Sequence, residues 1–212
     1  MKNLNYLQLK RQLPKSVNLL AVSKYTNTRN IQSLYELGQE HFGESKLQEA
    51  QKKQDDLFNN YKIKWHFIGK IQSNKITKIV KNFDYIHSVD SLKKLQKISK
   101  VAIEFNKIPK IMIQIKLSDD PEKGGMKIED LRRDFEKMKL MKGIRVIGLM
   151  TMNPKGLSSR ENFALFKQCR SLANSLSLKE CSMGMSNDWE EAVEAGSTWL
   201  RLGSLLFGDK VI

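Results

Sequence analysis

The sequence predicts an α/β fold, a single-domain (β/α)8 TIM-type barrel of parallel strands. Short apolar segments alternate with amphipathic helical segments eight times along the 212 residues. Such alternation indicates a parallel sheet, because parallel neighbours need a crossover connection. Eight units match a closed barrel, and 212 residues lie near the lower size limit of that fold. The rival arrangement, an open doubly wound sheet, is disfavoured because no Gly-x-Gly-x-x-Gly follows the first strand.

The predicted strands are short runs rich in apolar residues, bounded by polar or glycine-containing segments. The first contains Leu-Leu-Ala-Val, and Lys24 follows it closely. In chain order, the predicted strands are Asn18–Ser23, His41–Gly43, Trp65–Gly69, Tyr85–Val89, Lys110–Lys116, Arg145–Met150, Glu180–Met183 and Trp199–Leu202.

Between the strands, apolar residues recur at the spacing of amphipathic helices. Gly38 fits the end of the first such helix, since glycine readily takes the positive φ of a helix terminus. Pro109 stands just before the fifth strand. The predicted helices are Asn30–Leu37, Leu47–Leu57, Ser73–Val80, Leu92–Phe105, Lys127–Met141, Ser159–Leu176, Asp188–Ala195 and a terminal turn near Leu205.

No internal repeat, low-complexity tract or linker divides the chain, so residues 1–212 are predicted to form one domain. The loop from Pro121 to Gly125 follows the fifth strand and is the predicted mobile lid. No stretch of about 18 apolar residues is present, which predicts no membrane span. The polar start, Met1 to Gln12, and the presence of only two cysteines predict a cytoplasmic protein.

The strongly basic composition is interpreted as solvated lysine on helix surfaces. The formal net charge is +14, yet only 8 of the 37 basic residues are arginine. A nucleic-acid site would usually favour arginine and place aromatic residues among the basic ones. Because the lysines are spread over many predicted helices, no specific nucleic-acid site is expected.

Lys24 is the first candidate for chemistry, because functional residues of such barrels gather at the carboxyl ends of the strands. A lysine amine held there can form a Schiff base with an aldehyde. The other strand ends lack the paired carboxylates of glycosidases. They also lack the His/Asp/Glu cluster that a metal would require, so no metal site is predicted.

Serines and glycines after the last two strands predict a phosphate-binding rim. Barrel phosphates often bind in the loops after strands seven and eight. Ser182 and Ser186 can donate hydroxyl hydrogen bonds, and Gly184 permits close backbone approach. Gly203 and Ser204 open the last helical turn. The alternative is an ordinary turn with helix-capping serines. Together, a lysine and a phosphate rim suggest pyridoxal phosphate (PLP) as the cofactor.

Arg201 lies within an apolar strand, where an unpaired charge is unfavourable. One interpretation is a structural ion pair with Glu44, and the other is a contact with the pyridine nitrogen of PLP. A guanidinium keeps its proton, so that nitrogen would stay unprotonated. The histidines are interpreted as core or rim groups: His66 and His87 alternate with strand residues, and His41 begins a strand.

A series of short motifs runs along nearly the whole chain. They are Ala-Val-Ser-Lys (21–24), Phe-Gly-Glu (42–44), Gln-Glu (48–49), Trp-His-Phe-Ile-Gly (65–69), Gln-Ser-Asn-Lys (72–75), His-Ser-Val-Asp-Ser (87–91), Gly-Leu-Met (148–150), Ser-Met-Gly-Met-Ser (182–186), Gly-Ser-Thr (196–198), Arg-Leu-Gly (201–203) and Phe-Gly (207–208). In this order the set resembles that of the pyridoxal-phosphate homeostasis proteins. The chain departs from the family's pattern at Ser45, where many members have asparagine, and at Lys70, where a proline is common.

The resemblance implies a barrel of the alanine racemase N-terminal type that carries PLP as a Schiff base on Lys24, with Arg201 facing the pyridine nitrogen. The residues implied to hold the phosphate are Ser182, Ser186, Gly203 and Ser204. Members of this family act in vitamin B6 balance and are generally described as lacking clear catalytic activity, so no catalytic residue is expected. PLP-dependent apo-enzymes are candidate partners, and a monomer is expected. The alternative is a PLP-dependent amino-acid racemase or decarboxylase on the same barrel.

Overall fold

The computed structural model describes residues 2–57, 61–118, 120 and 124–208. Eight parallel strands close into a barrel in which each strand pairs with the next and the last pairs with the first. The predicted fold class is therefore confirmed. The strands are β1 (Asn18–Val22), β2 (His41–Glu44), β3 (Lys64–Phe67), β4 (Tyr85–Val89), β5 (Lys110–Gln114), β6 (Arg145–Met150), β7 (Glu180–Ser182) and β8 (Trp199–Leu202).

Helices follow the strands, as the alternating pattern predicts. The segment predicted as one helix from Ser73 begins as a 3-10 turn over Ser73–Lys75 and continues as the α-helix Ile76–Asn82. Gly38 takes a φ of +92° just after the end of the helix Thr28–Glu36, which confirms its predicted role. The helices are α1 (Lys2–Gln12), α2 (Thr28–Glu36), α3 (Leu47–Leu57), α4 (Ile76–Asn82), α5 (Leu92–Glu104), α6 (Ile128–Lys139), α7 (Ser159–Ser175), α8 (Trp189–Glu194) and α9 (Ser204–Phe207).

Alternation along the strands separates two packed regions. Leu19 and Ala21 of β1 belong to the large core shared with the helices, whereas Leu20 belongs to a second, smaller cluster. On β8 the same alternation separates Leu200 from Trp199. The second cluster fills the interior of the barrel and consists of Leu20, Tyr85, Met112, Met150 and Trp199. On β1 and β8 the interior face can therefore be read from the parity of the residues.

The fifth strand is shorter than predicted. It ends at Gln114, and Ile115 makes only an isolated bridge with Met126. Past this point the Ile115 amide still donates to the Met150 carbonyl of β6, at 2.9 Å, while the Gln114 carbonyl accepts from the Met126 amide, at 2.8 Å. Residues 121–123 of the predicted lid lie outside the described residues.

Across the parts of the chain that the structure describes, every helix is too short or too polar to cross a membrane.

Candidate functional site

A cavity of about 930 Å³ opens at the carboxyl end of the barrel. Its volume lies in the range typical of small-molecule sites. The loops after β1, β6, β7 and β8 contribute most of its lining. It brings together five of the six residues predicted for the cofactor: Lys24, Ser186, Arg201, Gly203 and Ser204.

Lys24 stands at the mouth of this cavity, in the turn that follows β1. Its side chain is exposed, because it lies beyond the end of the strand and outside the packed core. The next residue, Tyr25, has a φ of +64°, a left-handed conformation that is strained for a non-glycine residue. The turn is closed by a hydrogen bond from the Thr26 amide to the Ser23 carbonyl, at 3.1 Å. Strain of this kind concentrates at functional sites, which singles out this turn.

A buried ion pair between Lys53 and Glu44 is hydrogen-bonded to the same turn. The Lys53 amine lies 2.7 Å from Glu44 Oε1 and also donates to the Ser23 carbonyl at 2.7 Å. The Ser23 hydroxyl donates to the same Glu44 oxygen, at 2.7 Å. Burial raises the pKa of the Glu44 carboxyl, and the nearby charge of Lys53 opposes that shift.

The proposed ion pair between Glu44 and Arg201 is wrong. Glu44 follows the parity of Phe42 on β2 and faces the helices, where Lys53 of α3 meets it. Arg201 follows the parity of Trp199 and faces the barrel interior. The two side chains therefore lie on opposite sides of the sheet.

Arg201 is almost completely buried and its guanidinium bonds to neutral oxygens. Nη1 donates to the Ser182 carbonyl at 2.6 Å and to the Ser182 hydroxyl at 2.8 Å. Nη2 donates to the Thr151 carbonyl at 2.9 Å. Burial lowers the pKa of Arg201 to about 10, an effect that the charge of Asp188 opposes. The guanidinium thus remains positive at neutral pH, and within the described ranges no carboxylate lies at ion-pair distance from it.

Ser182 does not line the cavity. It is fully buried, and its hydroxyl lies between Arg201 and His87, 3.0 Å from the Nδ1 of that histidine. β7 ends at this residue, and its hydroxyl faces the interior of the barrel. The structure therefore places Ser182 beneath the cavity rather than at its rim.

The loop after β7 is shaped by a glycine and a carboxylate. Gly184 has a φ of +88°, and a Cβ placed there would lie 2.5 Å from the Ala192 Cβ. Asp188 accepts from the Met185 amide at 2.6 Å, while burial raises the pKa of this carboxyl. These contacts hold Ser186, which lies between them, at the edge of the cavity.

Polar lining residues that were not predicted from the sequence include Asn153, Lys155 and Asp188. Asn153 and Lys155 lie in the loop after β6, and Asp188 immediately precedes α8. Each of these residues follows the carboxyl end of a strand, and that position was the signal by which they could have been predicted. The prediction that His66 and His87 are interior groups is confirmed, since both are fully buried and hydrogen-bonded.

Comparison with known proteins identifies the family. The model of the alanine racemase N-terminal domain matches residues 3–211. The chain belongs to this family. It is also 44% identical over 212 residues to the pyridoxal phosphate homeostasis protein of Synechocystis sp., with 97% of each chain covered. The protein of the same name from Pseudomonas aeruginosa is 38% identical, covering 92% of this chain and 85% of the relative.

Solved structures agree with this membership. PipY of Synechococcus elongatus PCC7942, determined with PLP bound, is 41% identical and superposes with a TM-score of 0.95. The alignment covers 98% of this chain and all of PipY. The alanine racemase of Clostridium difficile has a TM-score of 0.82 at 13% identity, covering this whole chain but 57% of the racemase. That second likeness shows the fold alone, and it confirms the predicted alanine racemase type of barrel.

Proposed function

We propose that this protein binds pyridoxal 5'-phosphate in the cavity at the carboxyl end of the barrel and acts in intracellular vitamin B6 homeostasis. The observation that carries the proposal is the convergence of the lysine amine, the buried guanidinium and the serine- and glycine-containing rim on one cavity. The 41% identity to PipY, whose structure was determined with PLP bound, supports it.

The groups that line the cavity suit the three functional parts of PLP. Lys24 would hold the aldehyde through its amine, as a Schiff base. Ser186, Gly203 and Ser204 would hold the phosphate, since a hydroxyl and the first backbone N–H groups of a helix can donate to an anion. Arg201 would face the pyridine nitrogen. For Ser182 we propose a different role from phosphate binding, namely orienting that guanidinium, because its hydroxyl already contacts it.

When bound, PLP supplies an electron-accepting ring that stabilises negative charge on a substrate carbon. Arg201 limits this effect, because a guanidinium does not give up its proton to the ring nitrogen. The cavity also offers few groups that could transfer a proton to a substrate. Asp188 is engaged by the Met185 amide, and no histidine lines the cavity within the described chain. We therefore propose that the protein holds and releases PLP without catalytic turnover.

The alternative is a PLP-dependent racemase or decarboxylase, which the shared barrel type favours. A two-base racemase needs a second proton carrier opposite the lysine. Tyr25 is the tyrosine among the described lining residues, and it directly follows Lys24 in the same turn. Incubating the PLP-loaded protein with single enantiomers of common amino acids separates the two functions. Chiral conversion or decarboxylation well above that of free PLP would support the enzyme.

The Schiff-base residue can be tested by reduction with borohydride, which fixes bound PLP covalently. We expect mass spectrometry of the digested protein to find the label on Lys24, and Lys24→Ala to lose it. Lys155→Ala is the matched control, because Lys155 is an exposed lysine that lines the same cavity. We expect that variant to keep the label. Label on Lys155 would refute the assignment, and absence of any label would refute PLP binding in this form.

We further propose that residues 1–212 form one PLP-binding domain that acts as a cytoplasmic monomer. The proposed partners are PLP and PLP-dependent apo-enzymes that receive it. Mixing the loaded protein with such an apo-enzyme tests delivery. Activation faster than by free PLP at the concentration that the loaded protein releases would support direct transfer, and equal rates would indicate buffering alone.

A further inference from the structure

Three histidines form a continuous chain of hydrogen bonds through the barrel interior. His41 Nδ1 lies 2.8 Å from His66 Nε2, and His66 Nδ1 lies 2.8 Å from His87 Nε2. His87 Nδ1 lies 3.0 Å from the Ser182 hydroxyl, to which Arg201 donates. His41 is half-buried and lines a second cavity, of about 760 Å³, at the amino end of the barrel. The chain therefore links the two ends of the barrel.

The arginine sets the direction of every bond in this chain. A guanidinium has no acceptor, so the Ser182 oxygen accepts from Arg201 and its own proton is free to donate to His87 Nδ1. A neutral histidine that accepts at Nδ1 carries its proton on Nε2. His87 therefore donates from Nε2 to His66 Nδ1. By the same step, His66 donates from Nε2 to His41 Nδ1.

The opposite direction is less favourable. If His87 Nδ1 carried the proton, the Ser182 oxygen would accept from both neighbours, and its hydroxyl proton would have no acceptor among the described residues. Leaving a buried donor unpaired is unfavourable, because the group loses its hydrogen bonds to water and gains none in the protein. Full pairing thus selects one tautomer for every ring in the chain.

This arrangement also suits the buried charge at its end. Each imidazole protonated on Nε2 has the negative end of its dipole at Nδ1, and in this chain Nδ1 of each ring points along the chain towards Arg201. We propose that His41, His66 and His87 are positioning residues, a chain of neutral Nε2–H imidazoles that holds the Ser182 hydroxyl and, through it, the Arg201 guanidinium at the cavity. Its consequence for cofactor affinity rests on the proposed PLP binding.

The surroundings keep the chain neutral. Burial lowers the pKa of all three rings, and for His87 to about 3, where the charge of Arg201 adds to the effect. His66 stacks on the Tyr85 ring, with 4.0 Å between centroids. The charged groups that act on the His41 end are Glu40, Lys64, Asp84 and Lys110, two of each sign. Because Arg201 cannot accept a further proton, the chain orients groups and does not deliver protons to the cavity.

Nitrogen-15 NMR of the histidine rings tests the tautomers directly, in protein free of PLP. We expect all three rings to be neutral and protonated on Nε2 at about pH 7. We also expect His66 and His87 to keep this form down to about pH 6, below the ordinary histidine pKa. An Nδ1–H tautomer or a charged ring at either of these two residues would overturn the proposal. The measurement does not depend on PLP, so it can succeed even if the proposed function fails.

Affinity for PLP tests the positioning role. His66→Phe interrupts the chain and Ser182→Ala removes its last member, and we expect each to weaken PLP binding by about tenfold. The double variant should lose about tenfold as well, because both changes break the same chain. A loss of about a hundredfold in the double variant would mean independent effects and would overturn the proposal.

Two further variants separate positioning from general damage. His66→Gln keeps one donor and one acceptor, so we expect it to recover part of the affinity that His66→Phe loses. Tyr85→Phe keeps the ring stacked on His66 and removes a hydroxyl that takes no part in the chain, so we expect unchanged affinity. No recovery with His66→Gln would count against the chain. If His66→Phe does not fold, the NMR measurement on the unaltered protein decides.

Discussion

Removing the amine of Lys53 should show how much the stability of the protein depends on the buried ion pair between Lys53 and Glu44. Lys53 is 8% exposed and Glu44 is 0% exposed, and their charged atoms lie 2.7 Å apart. In Lys53→Met the side chain is one atom shorter, keeps an apolar stem and loses its charge. Glu44 is then left in the core, and among the described residues the Ser23 hydroxyl is its remaining donor. An uncompensated buried carboxylate is among the most destabilising changes that a single substitution makes.

The expected loss in the free energy of unfolding is about 3 to 5 kcal/mol near neutral pH. Its pH dependence follows from the pKa of Glu44, which burial raises and Lys53 opposes. Without that lysine the folded-state pKa rises further above the unfolded value. Between these two pKa values the folded state binds more protons, so stability falls as pH rises through this window. The variant should therefore be least destabilised near about pH 4, where a protonated Glu44 carries no charge.

Urea unfolding at several pH values measures this directly. Lys52→Met is the matched control, because Lys52 is an exposed lysine on the same helix, and we expect it to change stability by less than about 0.5 kcal/mol. Adding Glu44→Gln to Lys53→Met should recover part of the loss by removing the unpaired charge. Equal stability of Lys53→Met and the unaltered protein, or a loss that does not vary with pH, would refute this reasoning.

Two other predictions concern stability and are checked by the same unfolding measurement. Gly184→Ala should lower the free energy of unfolding by about 2 to 5 kcal/mol. The backbone there is left-handed, and the new Cβ would lie only 2.5 Å from the Ala192 Cβ. Gly156→Ala should lose only about 1 to 2 kcal/mol, since its φ is +80° but nothing lies within 4 Å; similar losses in both variants would contradict the clash. Ser158→Ala should cost about 1 kcal/mol, because Ser158 and Glu161 form a capping box at the start of α7. An unchanged midpoint would show that this cap contributes nothing.

Much of the fold could be predicted because the strands and helices follow from the local periodicity of apolar residues. β4, β6 and β8 have the predicted bounds, and the closed parallel order follows from the repeated alternation of strand and helix. The predicted bounds that were wrong lie at the ends of elements, where individual hydrogen bonds decide which residue is the last. β5 ends at Gln114, whose carbonyl accepts from the Met126 amide, a contact that the residue pattern does not predict.

The candidate site was predicted in part. Lys24, Ser186 and Arg201 could be placed at one end of the barrel because the carboxyl ends of parallel strands share one edge. Of the two interpretations of Arg201, the ion pair with Glu44 was wrong, because the alternation of side chains along β2 places Glu44 on the side away from that arginine. Ser182 was predicted at the phosphate-binding rim, but it lies beneath the cavity and contacts Arg201 instead.

The sequence by itself determined the eight strand–helix units and the lysine after the first strand, because hydrophobic periodicity and position along a strand are local properties. Only the tertiary structure decided which buried polar groups meet. Residues 41, 66, 87, 182 and 201 come from five strands, and closure of the barrel brings their side chains within hydrogen-bond distance. Strand register and the need to pair every buried donor select those partners, and neither is encoded in the neighbourhood of any single residue.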